Sequence, residues 1–252
     1  TFLVGYVIFD KRDGYAEVEV VEQAQAYLQS KIDSGELSIP AGVSYKFTGS
    51  YENQIRAEKK LRVVLPIALF AIWLILYFQF KRVSTTLMVF SGIAFAWSGG
   101  FIMLWLYGQS WFLNVDLFGT NLRALFQMGT VNLSVAVWVG FLALFGIATD
   151  NGVIVCTYLQ QRFKEKRPET IAAIRAATVE AGERRVRPAM MTSVTTILAL
   201  LPVLTSTGRG ADIMVPMAIP TFGGMIIQIM TIFVVPILQA HWRESVIKKS
   251  NK

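Results

Sequence analysis

Five uncharged, apolar runs divide the chain: Val63 to Phe80, Val83 to Val115, Ala124 to Thr149, Pro188 to Gly208 and Ile213 to Trp242. Each reaches the roughly 18 residues that let a helix cross the hydrocarbon core of a bilayer. They predict five spans, at about 63 to 80, 84 to 107, 132 to 158, 188 to 207 and 214 to 238, so that the two chain ends lie on opposite sides of the membrane. Ahead of the spans the pattern changes. Phe2-Leu3-Val4-Gly5-Tyr6-Val7-Ile8-Phe9 is an apolar strand pattern, Glu17 to Ile32 has helical character, and Gly42 to Phe47 reads as a second strand. Strand, helix, strand is the order of an α+β module. Two strands are too few to close a core, and the chain opens at Thr1 with neither an initiator Met nor a signal peptide, so a piece of a longer polypeptide is expected. A polar helix, Tyr51 to Arg62, sets Glu52, Arg56 and Lys59 on one solvated face and leads into the first span. The expected organisation is an extramembrane piece with its connecting helix over 1–60, a transmembrane domain over 61–240 and a tail over 241–252.

Composition sharpens this picture. Hydrophobic residues make up 54% of the 252 and charged residues 16%, and the mean hydropathy is +0.48; an ordinary soluble domain is less apolar and more charged. Lys and Arg distribute unevenly. Fourteen of them fall in the loops at 81–83 and 159–187 and in the tail at 239–252, against Arg123 and Arg209 in the opposite loops. The positive-inside rule puts the first group in the cytoplasm and residues 1–60 outside. Topology thereby accounts for most of the net charge of +7, and no nucleic-acid partner is needed to explain it.

Within the spans, the residues that cost most to bury carry the functional information. Asp150 stands midway along the third span in Gly146-Ile147-Ala148-Thr149-Asp150-Asn151-Gly152-Val153. An ionised carboxylate there costs at least about 2.5 kcal/mol, and intramembrane acids mark ion or proton paths by default. The alternative is a carboxylate that only ties helices together, with Asn151 or a threonine as partner. In the fourth span, Met191-Thr192-Ser193-Val194-Thr195-Thr196 sets Thr192, Thr195 and Thr196 on one helical face. They are candidates to pass protons or hold water beside Asp150, or to bond their own i−4 carbonyls.

Other features read as structure. Gly92, Ala96 and Gly100 recur every fourth position, and Gly223-Gly224 does the same work in the last span, so backbones can approach closely. Pro202, Pro216, Pro220 and Pro236 kink or end helices. Most of the nine methionines are core or lipid contacts; Met214 and Met217, beside Asp212 at the outer mouth of the last span, are the ones placed to meet a soft cation. Cys156 is alone, so no intrachain disulfide or thiolate cluster is available. His241 falls at the membrane edge. No G-x-x-x-x-G-K-[ST] string occurs, so nothing supports ATP hydrolysis.

Several strings occur in one order: Gly146-Ile147-Ala148-Thr149-Asp150-Asn151-Gly152, Arg185-Val186-Arg187-Pro188-Ala189-Met190-Met191-Thr192, Leu200-Leu201-Pro202, Thr207-Gly208-Arg209-Gly210-Ala211-Asp212-Ile213-Met214 and Gly223-Gly224-Met225. Together they resemble the end of the resistance-nodulation-division (RND) superfamily, and most closely its heavy-metal efflux (CusA/CzcA-type) permeases. The resemblance implies an α-helical polytopic membrane protein in which five transmembrane helices follow a partial α+β periplasmic porter subdomain. It implies a secondary transporter of the bacterial inner membrane and not an enzyme, with residues 1–60 periplasmic and the C-terminus cytoplasmic. Proton motive force drives metal-cation export in that family, without a cofactor. The partners implied are membrane lipid, the missing N-terminal half of the permease, two further copies in a homotrimer, a periplasmic adaptor and an outer-membrane channel. The family's acidic relay position falls on Asp150, and a methionine of the Cu(I)/Ag(I) path falls on Met214. Where those exporters carry a lysine just after Arg-Pro, this sequence has Ala189, which leaves Asp150 without that cation. Export of organic amphiphiles by a related permease, and a non-transporting membrane subunit, are the competing functions.

Two segments stand out from a minimal member. The loop from Gly108 to Val131, with Trp111, Phe112, Phe118 and Phe126, suits an interfacial hairpin. Pro168 to Arg184, with Ile171, Ile174, Ala177 and Val179 among charges, reads as an amphipathic segment lying on the inner leaflet.

Overall fold

The computed structural model describes residues 4–9, 17–40, 42–117, 119–166, 168, 170–208 and 210–250. They form two compact units, Thr1–Arg62 and Val63–Lys252. In the first, helix α1 (Glu17–Asp33) is followed by the start of α2 (Ser50–Phe80). The segments expected as strands, 2–9 and 42–47, carry no strand pairing among their described residues. The Phe9 and Phe47 rings meet edge-on, 6.3 Å between centroids, yet Val4, Tyr6, Val7 and Ile8 are exposed. A strand exists only through a neighbour's hydrogen bonds, and these two segments supply none to each other. Phe2 and Leu3 lie outside the described residues.

The five apolar runs are helices: α2, α3 (Val83–Tyr107), α5 (Val135–Lys166), α6 (Ile171–Leu204) and α7 (Ala211–Ser250). All five are long and apolar enough to cross a membrane. Four outrun their predicted spans. The polar helix at 51–62 and the first span are one helix, α2, while α5 and α7 continue past 158 and 238. Helix α6 begins seventeen residues before Pro188 with Thr170 as its cap, whose Oγ1 accepts from Ala173 N at 3.2 Å. The segment expected to lie flat on the leaflet is therefore the first half of α6. Its inner face, Ile174, Ala177 and Ala181, is buried with Leu159 and Phe163 of α5 and Ala240 of α7; Val179 stays exposed. Burial against neighbouring helices replaces burial in lipid as the source of its stability.

Helix α7 is the centre of the bundle, packing on α3, α5 and α6. Glycine makes that possible. A Cβ on Gly99 would sit 2.6 Å from the Gly223 carbonyl oxygen, and one on Gly224 would sit 2.8 Å from that of Ala96. A Cβ on Gly140 would overlap the Met217 carbonyl oxygen. At this depth there is no water to drive helices together, so close packing is what holds them. Around these crossings lie Ile93, Ala96, Met103, Tyr107, Phe141, Leu144, Phe145 and Ile219, all buried. Thr221 Oγ1 adds a hydrogen bond across to the Gly140 carbonyl at 3.1 Å. The outer helices differ. Over the most apolar eighteen residues of each, α2 is 6% and α6 11% buried, against 44% in α3, 56% in α5 and 50% in α7.

The loop between α3 and α5 is a two-residue ladder, β1 (Asp116–Leu117) and β2 (Thr120–Asn121), closed by one helical turn, α4 (Leu122–Leu125). Asn121 caps that turn through Arg123 N at 2.9 Å. Phe112 and Phe126 fold onto the bundle core and only Trp111 of the described loop aromatics is strongly exposed, so the hairpin is pinned to protein more than to headgroups. Phe118 lies outside the described residues.

Candidate functional site

The geometry around Asp150 follows from the helical repeat of α5. Residues 137, 141, 144, 145, 148, 152 and 155 form the buried face; Gly146, Asp150 and Ile154, at i, i+4 and i+8, form the exposed one. A Cβ on Gly146 would meet nothing within 4 Å. Asp150 makes no hydrogen bond and no ion pair among the described residues. Its neighbours are otherwise engaged. Thr149 Oγ1 donates to the Phe145 and Gly146 carbonyls at 3.2 and 3.0 Å, and buried Asn151 donates through Nδ2 to Ser193 Oγ of α6 at 3.0 Å. Asn151 is thus the helix tie, and Asp150 is not.

On α6 the three threonines bond their own helix: Thr192 Oγ1 to the Ala189 carbonyl at 2.9 Å, Thr195 to Met191 at 2.8 Å and Thr196 to Thr192 at 2.9 Å. Thr192 and Thr195 are exposed and Thr196 half-buried. No hydrogen bond joins any of them to Asp150 among the described residues. The Asn151–Ser193 bond is the hydrogen bond that joins the two helices beside these positions. Ala189 is buried with Val155 of α5 and Ile232 of α7, so the position where the resemblance led to the expectation of a lysine is an apolar contact.

Met214 lies in the first turn of α7, half-exposed, its amide donating to the Gly210 carbonyl at 2.9 Å. Gly208 and Gly210, with φ of 126° and 94°, make the turn that aims this helix start, a conformation that side chains resist. Asp212 is exposed two residues earlier. Among the described residues no group of three or more His, Cys, Asp or Glu is placed to hold a metal ion. Met214 offers a soft thioether donor at a helix mouth, with Met217 one turn further along α7.

Sequence reasoning weighed charges and overlooked amides. Gln228 is fully buried on α7 and donates through Nε2 to the Ile147 carbonyl of α5 at 2.7 Å, while its Oε1 has no partner among the described residues. Gln239 accepts from Cys156 Sγ at 2.9 Å. Their signal was present: uncharged polar side chains inside an apolar run demand partners as charges do.

The chain belongs to the AcrB/AcrD/AcrF family, whose sequence profile matches residues 7–241. It is 31% identical over 238 residues to the cation efflux system protein CusA of Escherichia coli K12, covering 92% of this chain and 20% of CusA. It is 29% identical over 219 residues to the cobalt-zinc-cadmium resistance protein CzcA of Cupriavidus metallidurans CH34, covering 86% of this chain and 18% of CzcA. A crystal structure of a heavy metal efflux pump superposes with a TM-score of 0.60 at 26% identity, covering 87% of this chain and 19% of that one. The two relatives and the solved structure carry the resemblance to the heavy-metal efflux branch. The chain spans about a fifth of the length of these relatives.

Proposed function

We propose that this chain is part of the transmembrane region of a permease that exports metal cations across a bacterial inner membrane, and that proton movement through Asp150 drives it. The observation that carries the reading is an exposed carboxylate in mid-span, within the apolar part of α5, that makes no hydrogen bond or ion pair among the described residues. A structural acid would be tied into the bundle as Asn151 is; an acid that must take up and release protons needs access to water and to a second set of helices. In this reading the rest of the permease covers the exposed α5–α6 face and makes a proton path there. Paired repeats that meet at an ion site are the usual architecture of such transporters. The threonine oxygens, with their protons given to the helix, are left as acceptors that hold water along it. Residues 1–60 are periplasmic, where 4–9 and 42–47 become strands in a porter domain completed by other segments. The metal cation is cargo, Met214 touches it as it passes, and Cu(I) and Ag(I) fit a thioether best. A homotrimer, a periplasmic adaptor and an outer-membrane channel complete the machine.

Growth tests this reading. Cells whose full-length permease carries Asp150→Asn should lose metal tolerance to the level of cells without the gene, at unchanged permease abundance, with tolerance to dyes and detergents unaffected. Wild-type metal tolerance in that strain would contradict the assignment.

A further inference from the structure

At the charged end of the bundle, a cavity of about 780 Å³ opens between the α2–α3 turn, α5 and α7, and four cations surround it: Lys81, Arg82, Lys164 and Arg243. We infer that this cavity binds the phosphate-bearing headgroup of an anionic membrane lipid.

Charge is the first argument. Elsewhere at this end of the bundle four basic side chains are matched to acids, Arg175 to Glu244 at 2.7 Å, Arg162 to Glu165 at 3.1 Å, and Lys166 and Arg184 to Glu180, and Arg185 lies over the Tyr158 ring. Among the described residues the four cavity cations have no ion pair, and no carboxylate lines the cavity. Arg243 is fixed against the Phe163 ring, 5.4 Å from its centroid. Four unmatched cations converging on one concavity come at a cost in mutual repulsion that an anion removes.

The floor is built for hydrogen bonding. Thr85 and Gln239 are buried there. Gln160 donates to Thr85 Oγ1 at 3.4 Å, and Gln239 gives its Oε1 to Cys156, which leaves the Gln239 amide hydrogens as donors. Helix α3 starts at the same place, with no side-chain cap and no acid in its first turn, so its free N–H groups add to the positive field. The turn that delivers Lys81 and Arg82 is closed by Lys81 itself at φ 51°, a conformation glycine adopts with less strain.

Size and place select the source. The volume lies within the roughly 300–1,000 Å³ of organic-ligand pockets, larger than one inorganic phosphate requires. It sits at the ends of apolar spans beside Trp242, where headgroups lie. Basic pockets between helices on the cytoplasmic side are suited to cardiolipin-type headgroups. The inference rests on the spans crossing a membrane and not on any transported substrate.

The test uses the full-length permease in detergent, titrated with cardiolipin, phosphatidylglycerol, phosphatidylcholine or inorganic phosphate, with bound lipid counted by native mass spectrometry. Cardiolipin and phosphatidylglycerol should be retained and phosphatidylcholine should not, and millimolar phosphate should fail to displace them. Lys81→Gln with Arg82→Gln, and separately Lys164→Gln with Arg243→Gln, should each weaken retention about twenty-fivefold, at about fivefold per cation. Arg187→Gln with Lys248→Gln, which removes two charges outside the cavity, should weaken it less than threefold. Equal loss in that control pair, equal retention of phosphatidylcholine by the unmutated permease, or displacement by phosphate would each overturn the assignment.

Discussion

On the side of α5 that meets α3 and α7, Val137, Phe141, Leu144, Phe145 and Ala148 are buried, and Gly140 gives way to the α7 backbone. On the side that carries Gly146, Asp150 and Ile154, the same helix is exposed. Both faces come from one apolar stretch, and glycine occurs on both. The first face is closed by shape: glycines let backbones touch, and aromatic rings such as Phe101 and Phe141, 4.7 Å between centroids, fill what remains. The second carries the one charge of the mid-span and, among the described residues, no partner for it. A helix that spent both faces on packing would have no place for an exchangeable proton, so stability and chemistry divide between the faces.

The sharpest way to break that division is to fill the glycines. Gly223→Leu and Gly140→Leu should destabilise the bundle by about 3 kcal/mol each, because the added side chain meets backbone that cannot move aside. Gly146→Ala, on the open face, should leave stability unchanged or raise it by up to about 1 kcal/mol through helix propensity. Thermal unfolding of the detergent-solubilised permease separates the two. Equal losses at 140 and 146 would mean that the open face is packed as tightly as the closed one.

A smaller effect is expected where the faces meet. Asn151→Leu should cost about 1 kcal/mol, as should Ser193→Ala, with the double mutant no worse than either single, since interhelical hydrogen bonds in membranes are worth about 0.6 kcal/mol on average. Additive losses in a double-mutant cycle would show that the Asn151–Ser193 bond is not what ties α5 to α6. Asp150→Asn should not change stability in the same assay.

Five spans were legible because hydropathy is a property of contiguous residues, and Glu17 to Ile32 was legible as a helix for the same reason. Three things were not. Continuity of α6 through 171–187 was hidden because its charges and Pro188 look like a boundary, whereas the deciding contact is Ile174 with Leu159 and Phe163, far away in sequence. The strand pattern at 4–9 names a propensity that only a partner strand can realise. The cavity of Lys81, Arg82, Lys164 and Arg243 draws on three separate segments, and the positive-inside count registers such residues without saying that they converge. At the candidate site, Asp150 stood out by its desolvation cost, but which of two adjacent polar residues ties the helices was decided by their 100° separation around α5 and the position of Ser193.

Two further expectations sharpen the contrast between the mouth of α7 and its charged end. Met214→Ile keeps the volume and removes the sulfur, so stability should change by less than about 1.5 kcal/mol while tolerance to Cu(I) and Ag(I) falls several-fold in growth assays. Unchanged tolerance would return Met214 to packing alone. At the other end, the Arg175 guanidinium holds the Glu244 carboxyl below the usual carboxylate range, and Lys166 does the same for Glu180. A lowered folded-state value means stability that is fully present above the ordinary glutamate range and lost as pH falls through the lower folded value. Unfolding of the permease should therefore be insensitive to these pairs between pH 8 and about 5 and should ease below about pH 4.5. Arg175→Gln should flatten that acid limb slightly; an unaltered limb would assign it to other carboxylates.

The most direct test of the central claim is proton-coupled export by the full-length permease in proteoliposomes under an imposed pH gradient, comparing wild type with Asp150→Asn. The account predicts that the variant inserts, assembles and unfolds as wild type does, yet carries neither protons nor cations above the rate of empty liposomes. Wild-type coupled flux from Asp150→Asn would contradict it, because the exposed face of α5 would then carry no chemistry that depends on its carboxylate.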